Sequence, residues 1–354
     1  MTALISIGSF LAVIIVLVIA HELGHFATAK ASGVKVEEFG LFYPPRLLSI
    51  KRGGTIYSLN ALPLGGFVKM AGEEDPNVAG SLASKSTGVR LLVLGSGSLM
   101  NFLLPVLLFS IAFIVPHNTL KGDVVIEDVT ANSPAQAAGI LSGDAIIEIN
   151  ENEIGSSIDA QRYFVLNRGR EISVSVLHAD QTTETVMLTP RWNPPPGDGS
   201  VGVLIRTADP IIVRESLPFW EAIPLGVVSC IETFILFKNG IVSMIIGAEP
   251  VALAGPVGIA QMTGEIAQAG ISPLLEFAAF LSINLAIINI FPLPALDGGR
   301  IAFVLIEWLR RGKRIPPSAE GKVHLIGFLL LMGFFLAVTY GDIVRILGGE
   351  SLIP

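Results

Sequence analysis

Long apolar stretches alternate with charged segments along this chain of 354 residues. A helix needs about 20 mostly apolar residues to cross a bilayer. Four stretches reach or approach that length, namely residues 4–29, 91–115, 277–296 and 325–341, of which the last is the shortest. The pattern predicts an α-helical polytopic membrane protein with four transmembrane helices. The first is expected to be retained, because no basic residues precede it as in a cleavable signal peptide.

Two apolar segments contain polar residues that change their interpretation. Residues 222–248 form a fifth apolar stretch, but Glu232 and Lys238 interrupt it. Charged side chains are costly inside a bilayer, so this stretch is expected to form an amphipathic helix at the membrane interface. In the second predicted span, the Gly-Ser cluster at residues 95–98 predicts close packing between helices.

Residues 116–206 have a pattern typical of a soluble domain. Apolar and polar residues alternate over 124–129 and 172–177, and Gly, Asn and Asp turns separate such runs. The proline-rich segment 193–197 follows them. This region predicts one small α+β domain inserted between the second and third transmembrane helices. The sequence shows no internal repeat of the kind found in many transporters.

The distribution of charge orients the predicted helices, since short cytoplasmic loops carry an excess of Lys and Arg. Residues 30–90 contain eight basic and five acidic side chains, and residues 300–322 contain six and two. Residues 116–221 contain seven basic and fifteen acidic side chains. Both basic segments are therefore predicted to be cytoplasmic. The inserted domain and both termini are predicted to be extracytoplasmic, in a multi-pass cell-membrane protein.

Composition supports membrane residence, because 51% of the residues are hydrophobic and only 15% are charged. The net charge of -7 argues against a nucleic-acid partner, which requires a basic surface. The single cysteine, Cys230, excludes an intramolecular disulfide and a zinc site built from cysteines.

The first apolar stretch contains the motif HExxH, with His21, Glu22 and His25. On a helix, positions i and i+4 share a face, so both imidazoles lie on one side with Glu22 beside them. Two such nitrogens suit zinc, and a catalytic zinc site keeps a position open for a water that a neighbouring Glu deprotonates. Ionisable groups inside a membrane are usually functional. The other histidines are expected to be ordinary polar residues at loop or interface positions: His117, His178 and His324.

A tetrahedral zinc site requires a third protein ligand, and Asp297 is the candidate. It follows the apolar run 277–296, in which Pro292 and Pro294 interrupt any regular helix. Broken helices in membranes line protein-enclosed or wet cavities, which places Asp297 in a polar pocket with Asn289. The alternative is a helix-end carboxylate followed by a simple glycine turn. The predicted topology brings Asp297 to the cytoplasmic side, where the histidine motif also lies.

Through these motifs the chain resembles the site-2 proteases, which are intramembrane zinc metalloproteases, and in particular the bacterial regulator of sigma-E protease group. The resemblance covers nearly the whole chain. The family's second motif, Asn-x-x-Pro-x-Pro-x-Leu-Asp-Gly, is matched by Asn289, Pro292, Pro294, Leu296, Asp297 and Gly298. The resemblance implies that His21, His25 and Asp297 bind Zn2+. It also implies that Glu22 activates water and that Asn289 holds the substrate backbone or the developing oxyanion.

Residues 63–70 resemble the membrane-associated β-hairpin of the same family. The resemblance implies that an extended substrate pairs with the edge of this hairpin as an added strand. Gly65, Gly66 and Phe67 are its predicted substrate-binding residues in the cytoplasmic loop. Strand addition suits this chemistry, since a helical substrate must unwind before its scissile carbonyl reaches a metal. The alternative is an amphipathic loop on the lipid surface. Residues 255–258 are a further family-like segment, either a plain turn or a functional element.

The inserted domain resembles a PDZ domain through residues 132–144. Such domains usually bind a chain terminus between a strand and a helix. The loop 199–203 comes where a circularly permuted PDZ strand would place its ligand end, so Gly199, Val201 and Gly202 are the predicted ligand loop. The alternative is a PDZ fold that acts only as a steric filter. Many bacterial relatives carry two such domains, whereas this chain has room for one.

Two functions are compatible with these features. The first is hydrolysis inside transmembrane segments, acting on single-span membrane proteins already cleaved by an extracytoplasmic protease, such as an anti-sigma factor or remnant signal peptides. The second is a catalytically silent PDZ-containing scaffold or metal-dependent transporter, against which the complete ligand set and the missing repeats argue.

The predicted organisation is a first helix at 1–29, a membrane-associated loop at 30–90, a second helix at 91–115, a PDZ-like domain at 116–206, a linker with the interfacial helix at 207–272, a third segment at 273–299, a basic loop at 300–322 and a fourth helix at 323–347.

Overall fold

The protein is described by a computed structural model over residues 2–73, 75–248 and 254–348. Glu74, one of the acidic residues counted above, lies outside the described residues. In chain order the elements are α1 (Thr2–Ala31), β1 (Val36–Arg52), β2 (Thr55–Met70), α2 (Thr87–Ile114), β3 (His117–Val129), α3 (Pro134–Ala137), β4 (Ala145–Ile149), β5 (Asn152–Glu153), α4 (Ser157–Leu166), β6 (Ile172–Leu177), β7 (Thr183–Leu188), β8 (Val203–Glu215), α5 (Phe219–Ile245), α6 (Pro256–Ala269), α7 (Ile271–Ile290), α8 (Asp297–Leu309) and α9 (Pro317–Leu347).

Two compact units make up the chain. Unit 1 contains residues 1–112 and 253–354, and unit 2 contains residues 113–252. Unit 1 therefore includes α1, α2, the strands β1 and β2, and the helices α6 to α9. Unit 2 includes the remaining strands together with α3, α4 and α5.

Five helices in the described part of the chain are long and apolar enough to cross a membrane: α1, α2, α5, α7 and α9. Four of them coincide with the predicted spans, and α5 coincides with the predicted interfacial helix. The helix α9 was expected to be the shortest span but has 31 residues. Residues with good helix propensity on both sides of its apolar run, Glu320 and Arg345 among them, continue the helix.

The helices α1 and α2 run antiparallel inside unit 1. His25 Nδ1 lies 2.8 Å from the Val93 carbonyl oxygen. Four residues earlier on α1, His21 Nδ1 lies 3.3 Å from Asn101 Nδ2, eight residues later on α2. Contacts that move backwards on one helix and forwards on the other define an antiparallel pair.

The helix α7 runs parallel to α1. Near the start of α1, a Cβ added to Gly264 of α6 would collide with Ser6, so the two backbones are in close contact there. The helix α7 begins directly after α6 and Gly270. The chain then reaches Asp297, whose carboxylate lies 3.1 Å from His21 in the later half of α1. The chain therefore travels along α1 in the same direction as α1 itself.

The third predicted span ends before its apolar run does. The helix α7 stops at Ile290, and α8 starts at Asp297. Pro292 and Pro294 explain the break, because proline lacks the N–H that a helix interior needs. Residues 300–309, predicted as the start of a basic loop, instead belong to α8, and the loop before α9 covers residues 310–316.

The strands β1 and β2 form a two-stranded antiparallel sheet with register shifts. The shifts let the first part of β1 pair with both parts of β2, so that Leu41 is paired with Gly66 and with Leu59. Residues 66–70 thereby form an outer edge. A buried core joins this sheet to α1, α2 and α8, formed by Ala29, Val34, Val36, Val68, Met70, Leu82, Val93, Leu94 and Val304. This core fixes the edge strand relative to α1.

A buried ion pair joins α2 to α8. Arg90 Nη1 donates to Glu307 Oε2 at 2.5 Å, and the two side chains are 11% and 8% exposed. Glu307→Gln should lower stability by about 3–5 kcal/mol, because Arg90 keeps a buried charge without its counter-ion. The midpoint of thermal unfolding in detergent micelles measures the change.

The exposed pair of Lys69 and Glu37 provides the control. Its atoms lie 3.1 Å apart, but the side chains are 63% and 38% exposed. Glu37→Gln should therefore change stability by less than about 1 kcal/mol. Equal effects of the two substitutions would show that Arg90 gains its stabilisation from other contacts.

The segment 255–258 starts α6. Gly258 N–H donates to Asp342 Oδ2 at 2.8 Å, and Asp342 is 1% exposed on α9. A carboxylate stabilises the first turn of a helix, where backbone N–H groups lack partners. Gly255 has no room for a side chain, since an added Cβ would lie 2.7 Å from Asp342 Oδ2. These contacts give the segment a structural role in joining α6 to α9.

Unit 2 is built on a six-stranded sheet with the order β7-β6-β4-β3-β8, and β5 pairs with β4. The strands β3 and β8 pair from His117 with Glu215 to Val129 with Val203. This α+β architecture agrees with the prediction, although the sheet continues past the expected boundary at residue 206. Its core contains Val124, Ile126, Ala135, Ile140, Ile146, Ile149, Ile154, Ala160, Phe164, Ile172, Val174, Val176, Val186, Leu188 and Val201.

The helix α5 is held to the segment around α4 by polar contacts inside unit 2. These are Arg162 with Glu232 at 2.7 Å, Asn239 with the Val165 carbonyl at 2.8 Å and Arg168 with Ser243 at 2.6 Å. The three α5 residues extend along about 17 Å of helix at 1.5 Å per residue. One side of α5 is therefore polar and in contact with the soluble domain.

Two of the histidines expected to be ordinary polar residues lie in unit 2. His178 contacts Asp144 at 2.8 Å and Glu184 at 3.2 Å, and hydrogen bonds to these carboxylates raise the pKa of His178. His117 Nδ1 lies 2.9 Å from the Val115 carbonyl. Both act as local polar contacts on the surface of the fold.

Candidate metal centre

Three side chains from distant parts of unit 1 meet around one point. His21 Nε2 lies 3.2 Å from His25 Nε2. Asp297 Oδ2 lies 3.1 Å from His21 Nε2 and 3.2 Å from His25 Nε2. The histidines stand one turn apart on α1, and Asp297 is the first residue of α8. The structure brings together the three residues predicted as metal ligands, and their donor atoms are spaced to share one ion.

The opposite ring nitrogens of both histidines are held by α2. His25 Nδ1 donates to the Val93 carbonyl oxygen at 2.8 Å, which leaves Nε2 as the acceptor or metal-binding atom. His21 Nδ1 faces Asn101, whose amide oxygen is buried and has no partner among the described residues. Rotating this amide by 180° places the oxygen opposite Nδ1, where it accepts the ring N–H. With the proton on Nδ1 in this hydrogen bond, His21 Nε2 is also free to bind a metal.

Gly97 of α2 faces the two imidazoles directly. A Cβ added there would collide with His25 Nε2 and lie 2.7 Å from His21 Nε2. Because Gly97 has no side chain, α2 leaves a space into which the ring nitrogens point. Gly24 of α1 is equally close to α2, since a Cβ added to Gly24 would collide with the Ser96 carbonyl oxygen. The close helix packing predicted for the Gly-Ser cluster is confirmed at Ser96 and Gly97.

Glu22 lies beneath the edge of the β1–β2 sheet. A Cβ on Gly66 would lie 3.0 Å from Glu22 Cγ and 2.9 Å from Val18 Cγ1. Phe67 follows, and its ring packs against Gly40 on the neighbouring strand. The absence of a side chain at Gly66 thus allows the edge strand to pass directly over Glu22.

A cavity of about 380 Å³ opens at the metal-ligand triangle. Its walls include the triangle, Glu22, Gly66, Phe67, Tyr43, Glu73, Arg300 and His324. Gly65 stands beside it at a φ of 136°, a conformation that glycine adopts without strain. Asn289 is half-buried on the last turn of α7 and is not among the described residues that line this cavity. Its predicted role at the substrate backbone stays a prediction.

The predicted ligand loop of the PDZ-like domain belongs to unit 2. Val201 is 1% exposed and packs in the core, so its side chain cannot contact a ligand. Gly202 has a φ of 79°, and its Cβ would collide with Ser133. Gly199 is exposed and accepts the Gly202 N–H at 3.1 Å. The Gly202 carbonyl accepts the Thr130 N–H at 2.9 Å and the Val201 carbonyl accepts the Ala135 N–H at 3.1 Å, so these backbone groups are already paired inside the domain.

Comparison with known proteins decides the family. The model of peptidase family M50 matches residues 9–334. The chain belongs to peptidase family M50. A Clostridium perfringens protein that is named as a zinc metalloprotease is 37% identical to this chain over 332 residues. The match covers 93% of this chain and 95% of the relative. The zinc metalloprotease RasP of Geobacillus kaustophilus is 30% identical over 432 residues, covering 96% of this chain and 98% of RasP.

This M50 peptidase is a zinc metalloprotease and a multi-pass membrane protein. The ligand triangle fits zinc, because bonds of about 2.0–2.1 Å in a tetrahedral site separate the ligand atoms by about 3.3 Å. The sides measured here are 3.1–3.2 Å. Two neutral imidazoles and one carboxylate are also a common donor set for catalytic zinc.

The sequence did not single out Asn101 and Gly97 as parts of this M50 site. Asn101 is fully buried in α2, where an amide inside an apolar span is itself a sign of function. That sign was available in the sequence, but it gave no partner. Gly97 was recognised only as a packing residue, since its contact with the imidazoles depends on the rotation of α2 against α1.

Proposed function

We propose that this M50 protease hydrolyses peptide bonds inside the transmembrane segments of other membrane proteins. The observation that carries the proposal is the position of the metal-ligand triangle. Two of its ligands lie on α1, one of the helices long and apolar enough to cross a membrane, and the third follows α7, which is another. A peptide bond that reaches this triangle has to come from a chain within or next to the bilayer.

The chemistry follows from the residues around the cavity. Zinc held by His21, His25 and Asp297 would supply the Lewis acidity that makes water a nucleophile at neutral pH. Glu22 accepts the proton of the attacking water and then donates it to the leaving amine nitrogen. Glu22 suits this role because it lines the cavity without belonging to the ligand triangle.

The edge formed by residues 66–70 is proposed to hold the substrate as an added strand. Backbone N–H and C=O groups on a free strand edge bind an extended chain of almost any sequence. Gly66 brings this edge above Glu22, so an added strand passes the catalytic carboxylate. The far part of the hairpin presents exposed apolar side chains, which supports its placement in lipid: Tyr43, Leu47, Leu48, Ile50, Leu59 and Leu62.

The helix directions in unit 1 support four spans. Since α2 is antiparallel to α1 and α7 is parallel to α1, the chain leaves unit 1 after α2 and returns before α7 on the same face. A single crossing of the membrane by α5 would return the chain at the opposite face of the membrane from the one at which α7 begins. The polar contacts of Glu232, Asn239 and Ser243 with the soluble domain point the same way. We therefore assign α5 to the extracytoplasmic interface, with the inserted domain and both termini on that side.

Cysteine labelling in intact cells tests this topology. In a Cys230→Ser background, single cysteines at Phe219 and Ala248 mark the two ends of α5, and Lys313→Cys marks the loop before α9. A membrane-impermeant maleimide should label both ends of α5 and should label Lys313→Cys only after permeabilisation. Labelling of one end of α5 alone would show that α5 crosses the bilayer.

Unit 2 is proposed to select substrates as a PDZ-like domain. Within the described residues β8 pairs only with β3, so its other edge is open beside α4. Thr207 closes one end of this edge through its contacts with Ser157. A chain terminus exposed by an extracytoplasmic protease would add along residues 203–206. This fits single-span substrates such as an anti-sigma factor, with remnant signal peptides as a further substrate class.

Fragment analysis tests the proposed reaction. Membranes from cells with the unmodified protein and from cells with Glu22→Gln are compared by mass spectrometry. Single-span proteins should accumulate in the variant, and the purified unmodified enzyme should cut them at positions within the apolar segment. New termini found only in soluble loops would contradict intramembrane cleavage.

A further inference from the structure

The loop that delivers Asp297 has one backbone N–H without a partner inside the loop. Pro292 and Pro294 have no N–H, Leu293 N–H donates to the Phe291 carbonyl at 2.7 Å, and Leu296 N–H donates to the Leu293 carbonyl at 3.2 Å. The remaining group is the N–H of Ala295. Ala295 also has a φ of 75°, in the left-handed region that is strained for a residue with a side chain. The loop therefore requires support from outside.

His324 of α9 supplies that support. Its Nδ1 accepts the Ala295 N–H at 2.9 Å. The ring is held against Phe303, with 5.5 Å between the ring centroids. Ala295 precedes Asp297 by two residues, so the hydrogen bond fixes the backbone that leads directly into the metal ligand.

The contact of α9 with this loop is specific and local. The apolar part of α9 contains no buried residue, so no buried apolar core holds it against this loop. One turn after His324, a Cβ on Gly327 would collide with Pro294. His324 and Gly327 thus form a two-residue contact on either side of the Pro294–Ala295 bond.

We propose that His324 is a positioning residue, which acts on the metal through the loop and places the Asp297 carboxylate opposite His21 and His25. The proposal rests on the assignment of Asp297 as a zinc ligand. His324 binds neither zinc nor substrate in this role. Its Nδ1 must act as the acceptor, so a side chain with an acceptor at the same reach should replace it.

The test compares His324→Asn with His324→Leu. The Asn carbonyl oxygen stands at nearly the same distance from the backbone as Nδ1, whereas Leu has similar size and no acceptor. Purified proteins are dialysed against increasing concentrations of a chelator, and bound zinc is measured. His324→Leu should bind zinc about 10–100-fold more weakly, and His324→Asn should retain zinc like the unmodified protein. Cobalt substitution should give the tetrahedral visible spectrum in His324→Asn and an altered one in His324→Leu.

Two controls separate the possible outcomes. Phe303→Leu removes the ring contact but keeps the acceptor, so it should retain zinc. Asp297→Ala should lose zinc, and if it does not, the ligand assignment fails before His324 is considered. Equal zinc retention in His324→Leu and His324→Asn overturns the positioning role while leaving the proposed reaction intact. If His324→Leu does not accumulate, His324→Phe, which keeps a ring against Phe303 and has no acceptor, replaces it with the same expected loss.

Discussion

Replacing Glu22 with Gln should lower the rate of peptide hydrolysis by about 10²–10⁴-fold, the range that a general base contributes. The amide keeps the size of the side chain beneath Gly66 but cannot accept a proton from water. Zinc should stay bound, because Glu22 is not part of the triangle of His21, His25 and Asp297. Initial rates on a synthetic transmembrane peptide in micelles, together with metal analysis of the same preparation, measure both quantities.

Glu171→Gln is the matched control for this substitution. Glu171 is exposed in unit 2, and its replacement makes the same chemical change outside the metal centre. It should retain the activity and the zinc of the unmodified protein. Full activity of Glu22→Gln with bound zinc would show that another group is the base. Loss of zinc from Glu22→Gln would instead give Glu22 a part in holding the metal.

Much of the fold follows from local signals in the sequence. The apolar runs predict α1, α2 and α9, because span length depends only on consecutive residues. Pro292 and Pro294 predict the break after α7 for an equally local reason. The extent of α8 was not predicted, since its charged residues resemble those of a loop. The register of β1 and β2 was not predicted either, because it depends on pairing between residues far apart in the chain.

The metal centre was likewise predictable from the sequence only in part. His21 and His25 are predictable because i and i+4 on a helix share a face. Asp297 lies 272 residues from His25, and only the charge pattern and the family resemblance placed both on one side of a membrane. Packing determines the other contacts. Neither the rotation of α2, which turns Gly97 and Asn101 toward the imidazoles, nor the contact of His324 with Ala295 can be read from periodicity.

Replacing Gly97 with Ala should remove zinc from the protein. The new methyl group would occupy the space between the ring nitrogens of His21 and His25, so one imidazole must turn away. A lost ligand orientation weakens zinc binding by at least about tenfold, and hydrolysis falls with it. Zinc content after dialysis, measured with the rate on the same peptide, checks this result.

Gly95→Ala makes the cause of that loss testable. Gly95 lies two residues away on the same helix, and a Cβ there meets nothing within 4 Å. Ala favours a helix over Gly by about 1 kcal/mol, so Gly95→Ala should fold at least as well as the unmodified protein. In Gly97→Ala the same gain offsets only part of the cost of displacing an imidazole. Zinc should therefore be lost from Gly97→Ala and retained in Gly95→Ala. Retention in both would mean that α1 and α2 separate far enough to admit the methyl group, and that the closeness of Gly97 to the imidazoles is not required for the metal centre.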